Sequence, residues 1–253
     1  LNIANVMEQK DIENVVGTAT EALTIVSDLS QIKNAPGVRK ANEDFHAIGL
    51  GAMNLHGYLA KNKIMYESEE AKEFASSFFA AVNFYSLKKS MEIAKEKGES
   101  FTGFEVSEYA NGNYFDMYLE NSFLPKSDKV IELFDGIKLP GIEEWKQLKS
   151  DVQKYGVYNA YRMAVAPTQS ISYIQNATAS IQPIVDVVET RMYGNSQTYY
   201  PMPFLASDNM FFYKSAYNMD QEKIIDLVSV IQPHVDQGIS TVLYVTSDVS
   251  TKT

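Results

Sequence analysis

The change in pattern over the last third of the chain constrains its fold more than any other feature. Residues 159–166 lead into the polar run Pro167-Thr168-Gln169-Ser170-Ile171-Ser172. Asp220 then caps a segment carrying Ile224, Ile225, Val228 and Ile231 at helical spacing, and Gly238 precedes Ser240-Thr241-Val242-Leu243-Tyr244-Val245, which reads as a strand. Strand, polar loop, helix and strand in that order predict an α/β arrangement.

The first two thirds supply helices. Ile12, Val15, Val16, Ala19, Ala22, Leu23 and Val26 form one apolar stripe, which predicts a helix over residues 11–29. Asn34-Ala35-Pro36-Gly37 reads as a loop, because Pro and Gly both end helices. The apolar segment 45–60 contains Gly49, Gly51 and Gly57 and predicts a buried helix packed closely on a neighbour. Gly49-x-Gly51 is a poor dinucleotide fingerprint, lacking a third Gly and a clear preceding strand. Ser68 is the predicted N-cap of a helix that has Glu69 and Glu70 in its first turn and ends at Gly98 after Lys95 and Lys97. Residues 98–145 read as loops and short helices, with another helix over 142–155 after Leu139-Pro140-Gly141. No low-complexity linker or internal repeat divides the chain, so residues 1–253 are expected to be one compact unit, or part of one.

Composition narrows the function. Of the 253 residues 45% are hydrophobic and 21% charged, enough to build a core and inconsistent with wholesale disorder. Against 22 basic residues stand 32 acidic ones, a net charge of −10, which argues against a nucleic-acid-binding surface but leaves room for a small anion site. There is no cysteine, which excludes disulfides, thiolate zinc sites and a cysteine nucleophile from this chain. No run approaches the roughly 20 apolar residues of a membrane span, and residues 1–7 lack the basic and apolar regions of a signal peptide. The chain starts and stops beside structured segments, as expected of a piece of something larger.

The Pro167 loop is the main candidate site. Thr168, Ser170 and Ser172 offer hydroxyls, and every residue from 168 to 172 offers a backbone N–H, so an anion can be held with few basic side chains. A helix beginning just after the loop would add its own N–H groups. From spacing alone an ordinary Ser/Thr turn capping a helix is the simpler account. His46, His56 and His234 have no partner at helical metal-site spacing and read as structural, and the carboxylate pairs read as solvated helix faces. The sequon Asn176-Ala177-Thr178 reads as chance, and Tyr199-Tyr200 as packing residues at a loop.

Ala166-Pro167-Thr168-Gln169-Ser170-Ile171-Ser172-Tyr173-Ile174, followed by Asn176-Ala177-Thr178 and Ile181-Gln182-Pro183, resembles the substrate-phosphate loop of the class I ribonucleotide reductase large subunit, the class Ib branch above all. Leu1-Asn2-Ile3-Ala4, the stretches from His46 to Gly51 and Met53 to Leu59, and Gly103-Phe104 agree in order and spacing. So do Ser107-x-Tyr109-Ala110-x-Gly112-x-Tyr114-Phe115, Tyr155-Gly156-x-Tyr158-Asn159, Tyr199-Tyr200-Pro201 and His234-Val235-Asp236-Gln237-Gly238. The resemblance covers essentially the whole chain.

The resemblance implies the second half of a ten-stranded α/β barrel, of the ribonucleotide reductase and glycyl-radical-enzyme type, with surrounding helices. It implies part of a cytoplasmic enzyme that reduces ribonucleoside diphosphates to 2′-deoxyribonucleoside diphosphates. A separate dimetal small subunit would generate the radical, a cysteine outside this chain would receive it, and a cysteine pair would supply electrons. Carried over residue by residue, the substrate-binding positions are Pro167, Thr168, Gln169, Ser170 and Ile171. No catalytic residue, metal ligand or cofactor site is carried over, since the radical and redox cysteines, the relay tyrosines and the nucleotide effector site all belong to sequence not present here. Tyr199-Tyr200 has the wrong flanks for that relay. Implied partners are the remainder of the large subunit, in a homodimer, the small subunit, and a thioredoxin- or glutaredoxin-like reductant; nucleic acid and membrane are not among them. The segment alone is expected to be inactive. The competing expectation is a non-catalytic nucleotide-diphosphate-binding or scaffold module that retains the half barrel.

Overall fold

A computed structural model describes residues 1–30 and 32–247. The predicted helix over 11–29 is present. After the short helix α1 (Ile3–Gln9), α2 (Ile12–Leu29) begins at Asp11, whose carboxylate accepts the Asn14 N–H at 3.1 Å. The next element departs from expectation. Pro36 opens α3 (Pro36–Phe45) instead of ending a helix, because proline in a first turn gives up only an N–H that has no helical acceptor.

The predicted buried helix over 45–60 is also corrected. Residues 47–53 are extended, and only Leu55–Lys61 (α4) is helical. The segment has a partner on either side. Leu50 bridges Met163 and Met53 bridges Asn2, both in parallel. Ile48 N–H donates to Tyr161 O at 3.0 Å, Leu50 N–H to Arg162 O at 2.8 Å, and Ile3 N–H to Met53 O at 3.0 Å. The segment is paired along both edges, with Leu50, Ala52 and Met53 buried and Ala47 and Gly49 exposed, and periodicity cannot tell so short an apolar run from a buried helix. Its glycine is there for backbone contact: a Cβ on Gly51 would lie 2.2 Å from Ala164 O.

Three parallel segments thus lie side by side in the order 1–3, 47–53, 161–165, each followed by helix. On the far edge of the last, the Asp236 carboxylate accepts the N–H groups of Arg162 at 2.6 Å and Met163 at 2.8 Å.

The helical layer centres on α5 (Glu69–Lys97), with Ser68 as its N-cap and Gly98 at φ 72 closing it, both as predicted. It is buried on every side through most of its length, and α2 packs along it. Short helices α6 (Glu108–Asn111), α7 (Asp116–Glu120) and α8 (Asp128–Leu133) lead to α9 (Ile142–Tyr155), whose bounds match the predicted 142–155. Trp145 of α9 stacks on Tyr118 at 3.8 Å and seals the aromatic core with Phe84 and Phe115.

The last third runs from 161–165 through the Pro167 loop into α10 (Gln169–Ile174), an antiparallel hairpin of β1 (Val188–Tyr193) and β2 (Ser196–Pro201), and α11 (Gln221–Ile231) capped by Asp220. Only this hairpin forms a named sheet among the described residues. The expected terminal strand over 240–245 has no ladder partner there. Its Tyr244 N–H instead donates to the Gln221 side chain at 2.7 Å.

Candidate functional site

The Pro167 loop leaves the C-terminal end of segment 161–165, where the neighbouring parallel segments also end. A buried amide network ties these ends together. Asn54 N–H donates to Thr178 O at 2.9 Å, the Asn54 side-chain carbonyl accepts Thr178 N–H at 3.0 Å, and the Asn54 amide donates to the Asn2 side chain at 2.9 Å. Thr178 is 3% exposed and its hydroxyl accepts the Gly57 N–H at 3.2 Å, so the sequon residue is a packing residue. Below it His56 is fully buried, with Ile184 N–H donating to Nδ1 and Nε2 donating to Phe212 O, both at 3.0 Å. Burial pushes its pKa down to about 4.

On this base Thr168 takes φ 53, ψ 6, a conformation β-branched residues rarely adopt. Its hydroxyl accepts the Ser180 N–H at 2.7 Å, which holds the turn. Thr168 in the left-handed region followed by Gln169 in the helical region forms a nest, in which successive N–H groups point to one side. The first helical bond starts at Ser172 N–H, which donates to Thr168 O at 2.8 Å. The N–H groups of Gln169, Ser170 and Ile171 therefore have no acceptor within the helix. Ser170 is exposed and Ile171 is 54% exposed.

Beside the loop lies a cleft of about 480 Å³. Pro167, Gln169 and Ser172 line it; Thr168, Ser170 and Ile171 stand outside the lining. Ser172, counted among the hydroxyl donors by sequence, is buried, and its hydroxyl donates to Gln169 O at 2.6 Å. The cleft's far wall comes from the hairpin and holds its only charged lining residues among those described, Glu189 and Arg191. Burial and nearby Asp186 raise the Glu189 carboxyl above its ordinary value.

The hairpin is the part that sequence reasoning missed. Its signal was present: Tyr193-Gly194-Asn195-Ser196 places Gly-Asn between two strand-forming runs. Gly194 has φ 59 at the turn. Tyr199 and Tyr200, read as loop residues, lie in β2, where Tyr199 is 62% exposed and Tyr200 packs 5.1 Å from the Tyr173 ring. No group of three His, Asp or Glu side chains gathers in a metal-binding cluster among the described residues. No described helix is long and apolar enough to cross a membrane.

Comparison with known proteins shows the family. The family model described as ribonucleotide reductase, barrel domain, matches residues 1–253. The chain is 56% identical over 252 residues to the ribonucleoside-diphosphate reductase subunit alpha of Bacillus subtilis, covering all of this chain and 36% of that protein. The subunit alpha of Mycoplasma pneumoniae is 42% identical, with 36% of its length covered, and that of Treponema pallidum is 31% identical, with 27% covered. The chain therefore spans about a third of the length of such relatives. With its parallel segments and surrounding helices, the chain belongs to the ribonucleotide reductase barrel-domain family.

Proposed function

We propose that this chain is the part of a ribonucleoside-diphosphate reductase large subunit that holds the substrate's phosphates, with Pro167, Thr168, Gln169, Ser170 and Ile171 as the cradle. The observation that carries the reading is the nest at Thr168-Gln169, whose N–H groups have no acceptor among the described residues and lie at the rim of a cleft at the C-terminal ends of parallel segments. Backbone dipoles fixed in advance stabilise a diphosphate without a cluster of lysines, in keeping with a chain of net charge −10.

In this role Pro167 fixes the entry turn and Thr168 spends its hydroxyl on Ser180, leaving its N–H for the ligand. Gln169 and Ile171 donate through the backbone, and Ser170 adds a hydroxyl. The phosphates are thereby fixed at the rim and the ribose is directed toward the cleft, which turns part of the binding free energy into orientation. A radical, generated by a separate dimetal subunit and passed to a cysteine of the remaining large-subunit sequence, would supply the chemistry at the ribose. A thioredoxin- or glutaredoxin-like protein would return the electrons, and the complete large subunit would work as a cytoplasmic homodimer.

Ser170→Glu tests the cradle. A carboxylate in a first helical turn favours the helix, so the fold is kept while a negative charge occupies the phosphate position. In the full-length subunit assayed with its small subunit, KM for a ribonucleoside diphosphate rises about tenfold or more, equivalent to roughly 1.4 kcal/mol of lost binding. An unchanged KM rejects the assignment.

A further inference from the structure

The cradle sits on a helix of six residues, too short to hold its own geometry in water. On its side facing the hairpin, Tyr173 donates its hydroxyl to Glu189 Oε2 at 2.6 Å. Arg191 Nη2 donates to the same oxygen at 3.2 Å, and its guanidinium stacks over the Tyr173 ring at 4.1 Å. Tyr200 closes the group at 5.1 Å from that ring.

The pleat explains why these residues converge. Glu189 and Arg191 lie two apart on β1 and so share a face, and Glu189 is paired with Tyr200 across the ladder. The opposite face carries Thr190, Met192 and Tyr199, all exposed. The inward face meets α10 through Tyr173. Glu189 accepts from two donors, one of them cationic, a pairing stronger than a neutral hydrogen bond.

We propose that Tyr173 and Glu189 are positioning residues, with Arg191 as their counter-charge, and that this clamp fixes the pitch of α10 so that the cradle's N–H groups converge on the substrate's phosphates. The inference rests on the phosphate-cradle reading above. It makes the hairpin part of substrate binding without requiring it to touch substrate.

The test uses the full-length subunit with its small subunit and compares Tyr173→Phe, Glu189→Ala, Glu189→Gln and Ser170→Glu. Tyr173→Phe keeps the ring and its stacking and removes only the hydroxyl. KM for a ribonucleoside diphosphate rises by about five- to tenfold in Tyr173→Phe and Glu189→Ala, the size of one ordinary hydrogen bond, with kcat within about twofold. Glu189→Gln keeps an acceptor for the Tyr173 hydroxyl and recovers most of the loss. Adding Tyr173→Phe to Ser170→Glu raises KM no further, since the cradle is already blocked. If Ser170→Glu raises KM while Tyr173→Phe and Glu189→Ala leave it unchanged, the clamp is refuted and the cradle stands. If none of the variants changes KM, the cradle reading itself fails. A fall in kcat at constant KM, or no recovery in Glu189→Gln, also overturns the positioning role.

Discussion

Arg162 is fully buried, and its charge is accommodated by a fixed set of oxygens. Its guanidinium donates to Asn83 Oδ1 at 2.9 Å, Ser86 Oγ at 2.7 Å, and the hydroxyls of Tyr109 at 3.1 Å and Tyr114 at 3.0 Å, with Asp236 Oδ1 at 3.6 Å. Asp236 in turn occupies the open edge of segment 161–165, so one ion pair joins the sheet edge to the helical layer. Arg162→Met leaves these acceptors unmatched and lowers the stability of the full-length subunit by about 3 kcal/mol or more, seen as a lower urea midpoint; a loss under about 1 kcal/mol contradicts the network's role. Sequence could not show this pair, whose members are 74 residues apart.

Two histidines make stability depend on pH in a stated direction. Burial holds both His56 and His234 at about 4, against an ordinary 6.5, so the unfolded chain binds their protons first. Their contribution is complete above pH 6.5 and is lost as pH falls toward 4, roughly 3 kcal/mol for each imidazole. The thermal midpoint of the full-length subunit should fall across that window, and His234→Gln should make the fall shallower. An equal slope in the variant rejects the assignment. Sequence reads these histidines as structural from their lack of partners at metal-site spacing, and their burial is a tertiary fact that no spacing records.

At the scale of elements, legibility followed the locality of the signal. α2, α5, α9 and α11 were predictable because their signals are local: apolar spacing, an Asp N-cap on α2 and α11, a Ser N-cap and glycine stop on α5, and Pro140-Gly141 ahead of α9. The stretch 45–60 was misread because its burial comes from neighbours 50 residues before and more than 100 after it, so no local period records it. Residues 240–245 have strand composition, but a strand also needs an edge to pair with, which composition does not supply. Gly51 carries the element-scale prediction. Gly51→Ala places a Cβ on Ala164 O and forces segments 47–53 and 161–165 apart. A cost of about 3 kcal/mol or more is expected, beyond ordinary overpacking because the obstacle is backbone. Circular dichroism and thermal unfolding of the full-length variant measure it, and a midpoint equal to wild type contradicts the described pairing.

At the scale of the whole molecule, the parallel segments place three loop starts at one end, and the helices take the other surfaces. The candidate site was singled out only through the Pro167–Ile174 resemblance; spacing alone favoured an ordinary turn. The nest at Thr168 and the hairpin opposite it are tertiary facts, the first set by a bond to Ser180 and the second by a register that brings Glu189 to Tyr173. On the proposed reading, a chain with no cysteine that spans about a third of its relatives' length would supply binding and orientation, and the thiols would lie in the rest of the large subunit.

The most direct test is calorimetric titration of the full-length subunit, wild type and Ser170→Glu, with a ribonucleoside diphosphate and with the same nucleoside lacking phosphates. The account predicts that the variant loses about tenfold or more in affinity for the diphosphate, roughly 1.4 kcal/mol, and binds the nucleoside as wild type does. Equal diphosphate affinity in the two proteins, or an equal loss for both ligands, would contradict a phosphate cradle at residues 167–171.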